Sequence, residues 1–123
     1  MKRIFIGLAA LMLGFLLSSQ ASAHTPLLSV EDNEDGTVYL EGGFSDGSSG
    51  AGVSILIVED KAYKGSEKVE LYQGKKVLKK TRLDKNGEIT VDKPKGPYLI
   101  IFDAGTGHVV EKKGPLLKPG EKE

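Results

Sequence analysis

The sequence predicts an all-β protein, a single antiparallel β-sandwich of about seven short strands. Two observations support this fold class. Short segments rich in Val, Ile, Leu, Tyr and Thr recur about every 8–12 residues between Gly, Pro, Asn and Asp turn signals. Beyond residue 23, no segment shows the 3.6-residue apolar period of an amphipathic helix. These patterns are typical of a sandwich or small barrel, without a domain boundary or an internal repeat.

The first 23 residues have the pattern of a secretory signal peptide. Lys2 and Arg3 form a basic start, residues 4–17 are apolar, and Ala21-Ser22-Ala23 is a small-residue cleavage box. The apolar stretch is shorter than the roughly 20 residues that a membrane-spanning helix needs. We therefore expect cleavage after Ala23, a periplasmic or secreted location, and no insertion of the mature chain into the membrane.

After the signal peptide, residues 24–112 are predicted to form the sandwich. Residues 37–44 alternate, with Val38, Leu40, Gly42 and Phe44 on one face, and residues 53–58 are aliphatic enough for a central strand buried on both faces. Asp35-Gly36, Gln73-Gly74 and Asn86-Gly87 are turn signals between segments. Residues 27–30 form a short apolar run, and strands are predicted at residues 37–44, 53–58, 69–72, 75–83, 88–91, 98–102 and 108–111. Residues 113–123 contain two prolines and many charges, which predicts a flexible tail.

Composition excludes several classes of function. The chain has no cysteine, so it cannot form a disulfide, a thiolate metal site or a lipobox anchor. Loss of Lys2 and Arg3 would leave two fewer basic than acidic residues, which argues against a nucleic-acid partner. The lysines between residues 75 and 80 are interpreted as a solvated strand face. Without a nucleophilic cysteine or a recognisable Ser/His/Asp set, we expect no enzymatic activity.

The two histidines suggest a metal site. Cleavage after Ala23 would place a free α-amino group and an imidazole together on His24, where both nitrogens can bind one ion. Pro26 has no amide proton to lose, so further ligands must come from elsewhere in the chain. His108 is the main candidate, with Asp103 or Glu111 as an oxygen donor and Asp46 as a weaker one. Such nitrogen-rich sets suit divalent Ni, Co or Cu.

Three segments carry a resemblance to a known fold family. Residues 52–55 (GVSI), 81–89 (TRLDKNGEI) and 97–100 (PYLI) resemble the carboxypeptidase regulatory-like, or transthyretin-like, β-sandwich. Leu83, which stands before Asp84, is a departure from the family's turn pattern. The resemblance implies an Ig-like or transthyretin-like sandwich and says more about fold than about function.

A second resemblance covers more of the chain. Residues 24–27 (HTPL), 41–49 (EGGFSDGSS) and 102–110 (FDAGTGHVV) resemble small exported bacterial proteins associated with nickel and cobalt uptake systems of the energy-coupling-factor type. This resemblance implies an extracytoplasmic accessory protein that handles metal, with a membrane metal transporter as a possible partner.

An alternative interpretation remains open at this point. The sandwich could be a non-catalytic interaction module of the periplasm or cell surface that binds no metal. Tyr39, Tyr63 and Tyr72 are the aromatic side chains available to such a module, and an exposed patch bearing two of them would favour it.

Overall fold

A computed structural model describes residues 24–122, all of them outside the predicted signal peptide. The described chain contains eight strands and no helix, so the predicted all-β class is confirmed with one strand more than expected. The strands are β1 (Pro26–Asp32), β2 (Thr37–Phe44), β3 (Ser54–Ala62), β4 (Leu71–Tyr72), β5 (Lys75–Arg82), β6 (Glu88–Asp92), β7 (Tyr98–Asp103) and β8 (Val109–Lys113).

The strands form two antiparallel sheets. One sheet has three strands in the order β1-β2-β6, and the other has five in the order β4-β5-β3-β7-β8. Tight turns join several sequential pairs. At the β4–β5 turn, Gln73 and Gly74 both adopt positive φ angles, of 48° and 80°, as expected for a two-residue hairpin connection.

The main core lies between the inner faces of the two sheets. Val38 and Leu40 of β2 are fully buried there, which confirms the face predicted from the alternation in this strand. They belong to one apolar cluster with residues of the five-stranded sheet: Ile55, Ile57, Tyr98, Ile100 and Phe102. The ring of Phe44 packs edge-on against Phe102, with centroids 5.8 Å apart.

Strands β3 and β7 are buried on both faces. Leu56, Val58, Leu99 and Ile101 form a second buried cluster on the other side of the same strands. Two-sided burial explains why the sequences of β3 and β7 are almost continuously apolar rather than alternating. The prediction of a central strand at residues 53–58 is therefore confirmed.

The side chains of β5 do not alternate regularly between the two faces of the sheet. Val58 pairs with Val77, whereas the preceding residue Ile57 pairs with Lys79, so Leu78 is an extra residue in the ladder. The bulge turns Val77 towards the second cluster and leaves Leu78 exposed. The alternation in the sequence does not show which face of β5 is buried, because the bulge at Leu78 shifts the alternation within the strand.

The sandwich has two ends, which we name by their contents. The histidine end contains residues 24–25, the β2–β3 loop (45–53) and the β7–β8 turn (104–108). The tail end contains the β1–β2 turn (33–36), the β6–β7 loop (93–97) and the segment 114–122 that follows β8. Sandwich-forming strands continue to Lys113, one residue past the predicted boundary at 112.

Candidate functional site

The histidine end places His24 beside the β2–β3 loop. The Thr25 amide donates to the Ser45 hydroxyl, and the Ser45 amide donates to the Thr25 carbonyl, both at 2.9 Å. These bonds extend the β1–β2 pairing by one step beyond Pro26. As a result, the imidazole Nδ1 of His24 lies 2.7 Å from Oδ2 of Asp46.

The Asp46 carboxylate is oriented by its own loop. Its Oδ1 accepts hydrogen bonds from the Ser48 amide (2.9 Å) and the Ser48 hydroxyl (2.6 Å), which leaves Oδ2 facing His24. Gly47 allows this tight turn with a φ angle of 88°. The Ser48 hydrogen bonds, followed by the nearby His24, lower the pKa of Asp46, so the carboxylate is ionised at neutral pH.

His108 lies in the β7–β8 turn. Its amide donates to the Gly105 carbonyl at 2.8 Å, and its carbonyl accepts from the Ala104 amide at 3.0 Å. The ring Nδ1 is 3.2 Å from the Thr106 carbonyl oxygen. With the proton on Nδ1, the ring donates to that carbonyl, and Nε2 is left as the nitrogen that can accept a proton or bind a metal.

The two predicted oxygen donors have different surroundings. Asp103 ends β7, and its Oδ1 accepts the Gly105 amide at 2.9 Å, so this carboxylate helps to form the turn. Glu111 is exposed in β8, in register with Ile101 of β7. No hydrogen bond or ion pair joins either residue to His24 or His108 within the described part of the chain.

The strand order brings both histidines to one end of the molecule. Each precedes an edge strand, β1 for His24 and β8 for His108, and these two edge strands lie against each other. Residues 24–122 nevertheless contain no group of three or more His, Cys, Asp or Glu side chains close enough to hold a metal ion. The structure thus pairs His24 with Asp46, and the four-residue set of His24, His108, Asp103 and Glu111 stays a prediction.

A second polar cluster, at the tail end, was missed by sequence reasoning. The side chain of Lys93 is fully buried and contacts Asp32 at 2.7 Å and both oxygens of Glu121 at 2.9 Å. Lys118 adds a further contact to Asp32 at 3.3 Å. Burial by itself lowers the pKa of Lys93, but the two carboxylates outweigh it, and the net shift is upward.

This cluster attaches the segment 114–122 to the sandwich. The Tyr98 hydroxyl donates to the Pro115 carbonyl at 2.8 Å, and the Gly36 amide donates to Glu121 at 3.2 Å. The sequence predicted a flexible tail from residue 113, with no signal for these contacts. Lys93 and Glu121 are far apart in the chain, and a charged residue beside a proline normally indicates a solvated loop.

The three tyrosines are dispersed. Tyr39 donates to Glu41 at 2.8 Å within the three-stranded sheet, and this bond raises the pKa of Tyr39. Tyr63 donates to the Glu67 carbonyl at 2.9 Å, in the connection after β3. Tyr72 packs against the second apolar cluster. All three are half-buried, and each already has a local role.

Comparison of the chain with known proteins yields no match to a protein-family model, a curated protein or a solved structure. The two resemblances described above therefore stay predictions based on residues. Among residues 24–122, no helix has the length and apolar character to span a membrane. What the fold defines is an all-β protein of two antiparallel sheets with a histidine–aspartate pair at one end.

Proposed function

We propose that this protein is an exported metal-binding accessory protein that handles nickel, cobalt or copper through His24. The observation that carries the proposal is the 2.7 Å contact between Nδ1 of His24 and Oδ2 of Asp46. The contact supports Asp46 as a third donor beside the two nitrogens that His24 would offer after cleavage. The protein would act outside the cytoplasm, with a membrane metal transporter as its partner.

The chemistry of the pair suits a divalent ion. In an amino-terminal histidine, the α-amine and Nδ1 can close a chelate ring on one metal, and Nδ1 is the nitrogen that faces Asp46. If one metal ion binds Nδ1 of His24 and Oδ2 of Asp46 with bonds of about 2 Å each, these two atoms can be at most roughly 4 Å apart. Asp46 lies in an exposed loop beside Gly47, where the small displacement from 2.7 Å to such a separation meets little steric resistance.

The resulting donor set has two nitrogens and an ionised carboxylate. Sets of this kind suit Ni(II) and Cu(II), and copper has the highest affinity among the divalent first-row ions. His108 is the next donor to consider, because it lies at the same end and its Nε2 is free when Nδ1 donates to Thr106. Its participation requires movement of the β7–β8 turn or of residues 24–25.

Calorimetric titration with Ni(II), Co(II) and Cu(II) tests the proposal. One protein begins at His24, and the second carries one additional glycine before it, which moves the α-amine away from the imidazole. We expect the extension to weaken binding by at least about tenfold, because it removes the chelate. Equal, weak binding by both proteins would contradict the proposal.

Two substitutions identify the remaining ligands. Asp46→Asn keeps an oxygen for Ser48 but removes the charge, and we expect it to weaken binding severalfold. Asp84→Asn is the matched control, because Asp84 also accepts turn amides, from Asn86 and Glu88, at the same end of the sandwich. His108→Ala then reports whether the second histidine contributes. A loss of affinity that is the same for Asp46→Asn and Asp84→Asn would remove Asp46 from the ligand set.

One observation favours the alternative, a non-catalytic interaction module without a metal. Residues 24–122 hold no preassembled group of three metal-binding side chains. The titration above separates the two functions, because an interaction module has no reason to depend on a free amine at His24.

A further inference from the structure

We propose that a lysine-lined cleft at the far end of β3 is a binding site for a phosphate-bearing anion. The cleft has a volume of about 610 Å³ and is lined by Lys61, Lys64 and Lys76 together with Tyr63 and Glu59. It lies at the opposite end of β3 from Ser54, and therefore away from the histidine end. This site is independent of the metal site proposed above.

The backbone opens the cleft through an irregularity in the β3–β5 ladder. Val58 pairs with Val77 and Ala62 pairs with Lys75, so three residues of β3 stand opposite the single residue Lys76. On its other side, β3 pairs with β7 as far as Glu59 opposite Tyr98, and the Asp60 amide donates to the carbonyl of Pro97, just before β7, at 3.0 Å. The strand therefore departs from β5 alone, and such bulges commonly re-aim side chains beside binding sites.

The lysines of the cleft differ from Lys75 and Lys80, two lysines of β5 that lie nearby and are paired. Lys75 pairs with Asp60 at 2.9 Å, and Lys80 pairs with Glu70 at 3.1 Å. Lys61, Lys64 and Lys76, by contrast, form no ion pair or side-chain hydrogen bond with any of the described residues 24–122. Three unneutralised cations face one concave space that contains a single carboxylate, Glu59.

The wall of the cleft is a folded loop with defined contacts. The Tyr63 amide donates to the Gly74 carbonyl, and its hydroxyl donates to the Glu67 carbonyl, both at 2.9 Å. Gly65 lies so close to the Tyr63 ring that any Cβ there would overlap the ring atoms. These contacts hold the ring and the neighbouring Lys64 backbone in place at the edge of the cleft.

A phosphate group matches this arrangement. Lysine ammonium groups act as compact point charges and bind phosphate oxygens without the planar geometry that arginine requires. The excess of two positive charges over Glu59 suits an anion that carries more than one negative charge. The phosphate can belong to a free phosphate ester or to the headgroup of an anionic lipid, and both offer the same chemistry to the three lysines.

The test uses the metal-free chain that begins at His24, with pyrophosphate as the soluble probe and phosphatidylglycerol vesicles as the lipid probe. A triple Lys→Gln variant at 61, 64 and 76 is compared with a triple Lys→Gln variant at 85, 112 and 113. The control changes the net charge equally at exposed lysines outside the cleft that also form no ion pair within residues 24–122. Circular dichroism verifies that both variants are folded, and the single variant Lys64→Gln serves if the triple variant is not.

We expect saturable pyrophosphate binding that the cleft variant weakens by about tenfold or more and the control by less than about twofold. Vesicle binding with the same pattern would assign the site to a lipid headgroup, and pyrophosphate binding alone would assign it to a soluble phosphate ester. Absence of saturable binding to either probe, or an equal loss in both triple variants, would overturn the proposal. None of these outcomes depends on His24, so failure here is distinguishable from failure of the metal site.

Discussion

Two polar contacts of the same length lie at opposite ends of this sandwich. His24 and Asp46 are 2.7 Å apart at the histidine end, and Lys93 and Asp32 are 2.7 Å apart at the tail end. Their surroundings differ. The His24 side chain is 64% exposed, whereas the Lys93 side chain is 0% exposed and also contacts Glu121.

We infer from this difference in burial that the two contacts have different roles. An exposed pair is screened by water and contributes little to stability, so its atoms remain available to a ligand. A buried ammonium group must keep its partners, because an unpaired charge in the interior is very costly. We therefore expect the tail-end cluster to matter for stability and propose the histidine-end pair for binding. The following predictions test that division.

The largest effect is expected from removing the buried cation. Lys93→Met leaves Asp32 and Glu121 without their common partner and releases the segment 114–122 from one of its main contacts. We expect the thermal unfolding midpoint to fall by more than about 10 °C, because loss of one member of a buried ion pair strands the other. Calorimetry on the variant and on the exposed control Lys112→Met measures the difference, and a similar midpoint for both would contradict the assignment.

The tail-end cluster should also make the protein sensitive to acid. The hydrogen bond from Lys93, followed by that from the Glu34 amide, lowers the pKa of Asp32 from 3.8 to about 2. The unfolded chain therefore binds more protons in this range, and the stability from Asp32 is lost as the pH falls from about 4 towards 2. Urea unfolding at several pH values in this window should show a steep decline for the natural chain and a shallower one for Lys93→Met. Parallel declines would show that other carboxylates control the acid sensitivity.

A moderate effect is expected at Gly42, which packs against apolar side chains near the histidine end. A Cβ at this position would overlap Phe102 and Leu83, and the Gly42 amide is fixed by a 2.9 Å bond to the Gly87 carbonyl. Gly42→Ala should lower the free energy of unfolding by about 1–3 kcal/mol, the usual range for overpacking. Gly96→Ala is the matched control, because a Cβ there has open space. If denaturant unfolding gives the two variants the same free energy of unfolding, the packing around Gly42 is not tight.

The smallest effect on stability is expected from the pair that we propose for binding. Asp46→Asn removes the charge opposite His24 but keeps an acceptor for Ser48. We expect the unfolding midpoint to change by less than about 3 °C, as is usual for an exposed ion pair. A change as large as that of Lys93→Met would mean that the histidine end also depends on its ion pair for stability.

Local patterns were sufficient to predict much of the fold. The alternation around Val38 and Leu40 predicted the buried face of β2, because a strand that borders water on one side must alternate. Continuous aliphatic residues predicted that β3 is buried on both faces. Turn chemistry was equally local, since Gly36 and Gly87 adopt positive φ angles of 89° and 77° at predicted turns.

The candidate site was less accessible to sequence reasoning. His24 was singled out because of the cleavage box, yet its contact with Asp46 depends on the β2–β3 loop folding back beside β1. Asp46 had been only a weak candidate, since an aspartate in a Gly-rich loop has no distinctive sequence signal. The Lys93 cluster likewise depends on residues that are distant in the chain, and so does the cleft of Lys61, Lys64 and Lys76, which form no ion pair within residues 24–122.

The sequence by itself determined the all-β class, most of the strands and their turns, because these follow from the side-chain period and backbone preferences of a few neighbouring residues. Only the tertiary structure decided which charged groups meet. The pairing of Lys93 with Glu121, the pairing of His24 with Asp46, and the lack of an ion pair at Lys61 among residues 24–122 all depend on sheet order, bulges and the path of segment 114–122. Contacts between distant residues arise from the packing of whole elements, and no local pattern encodes them.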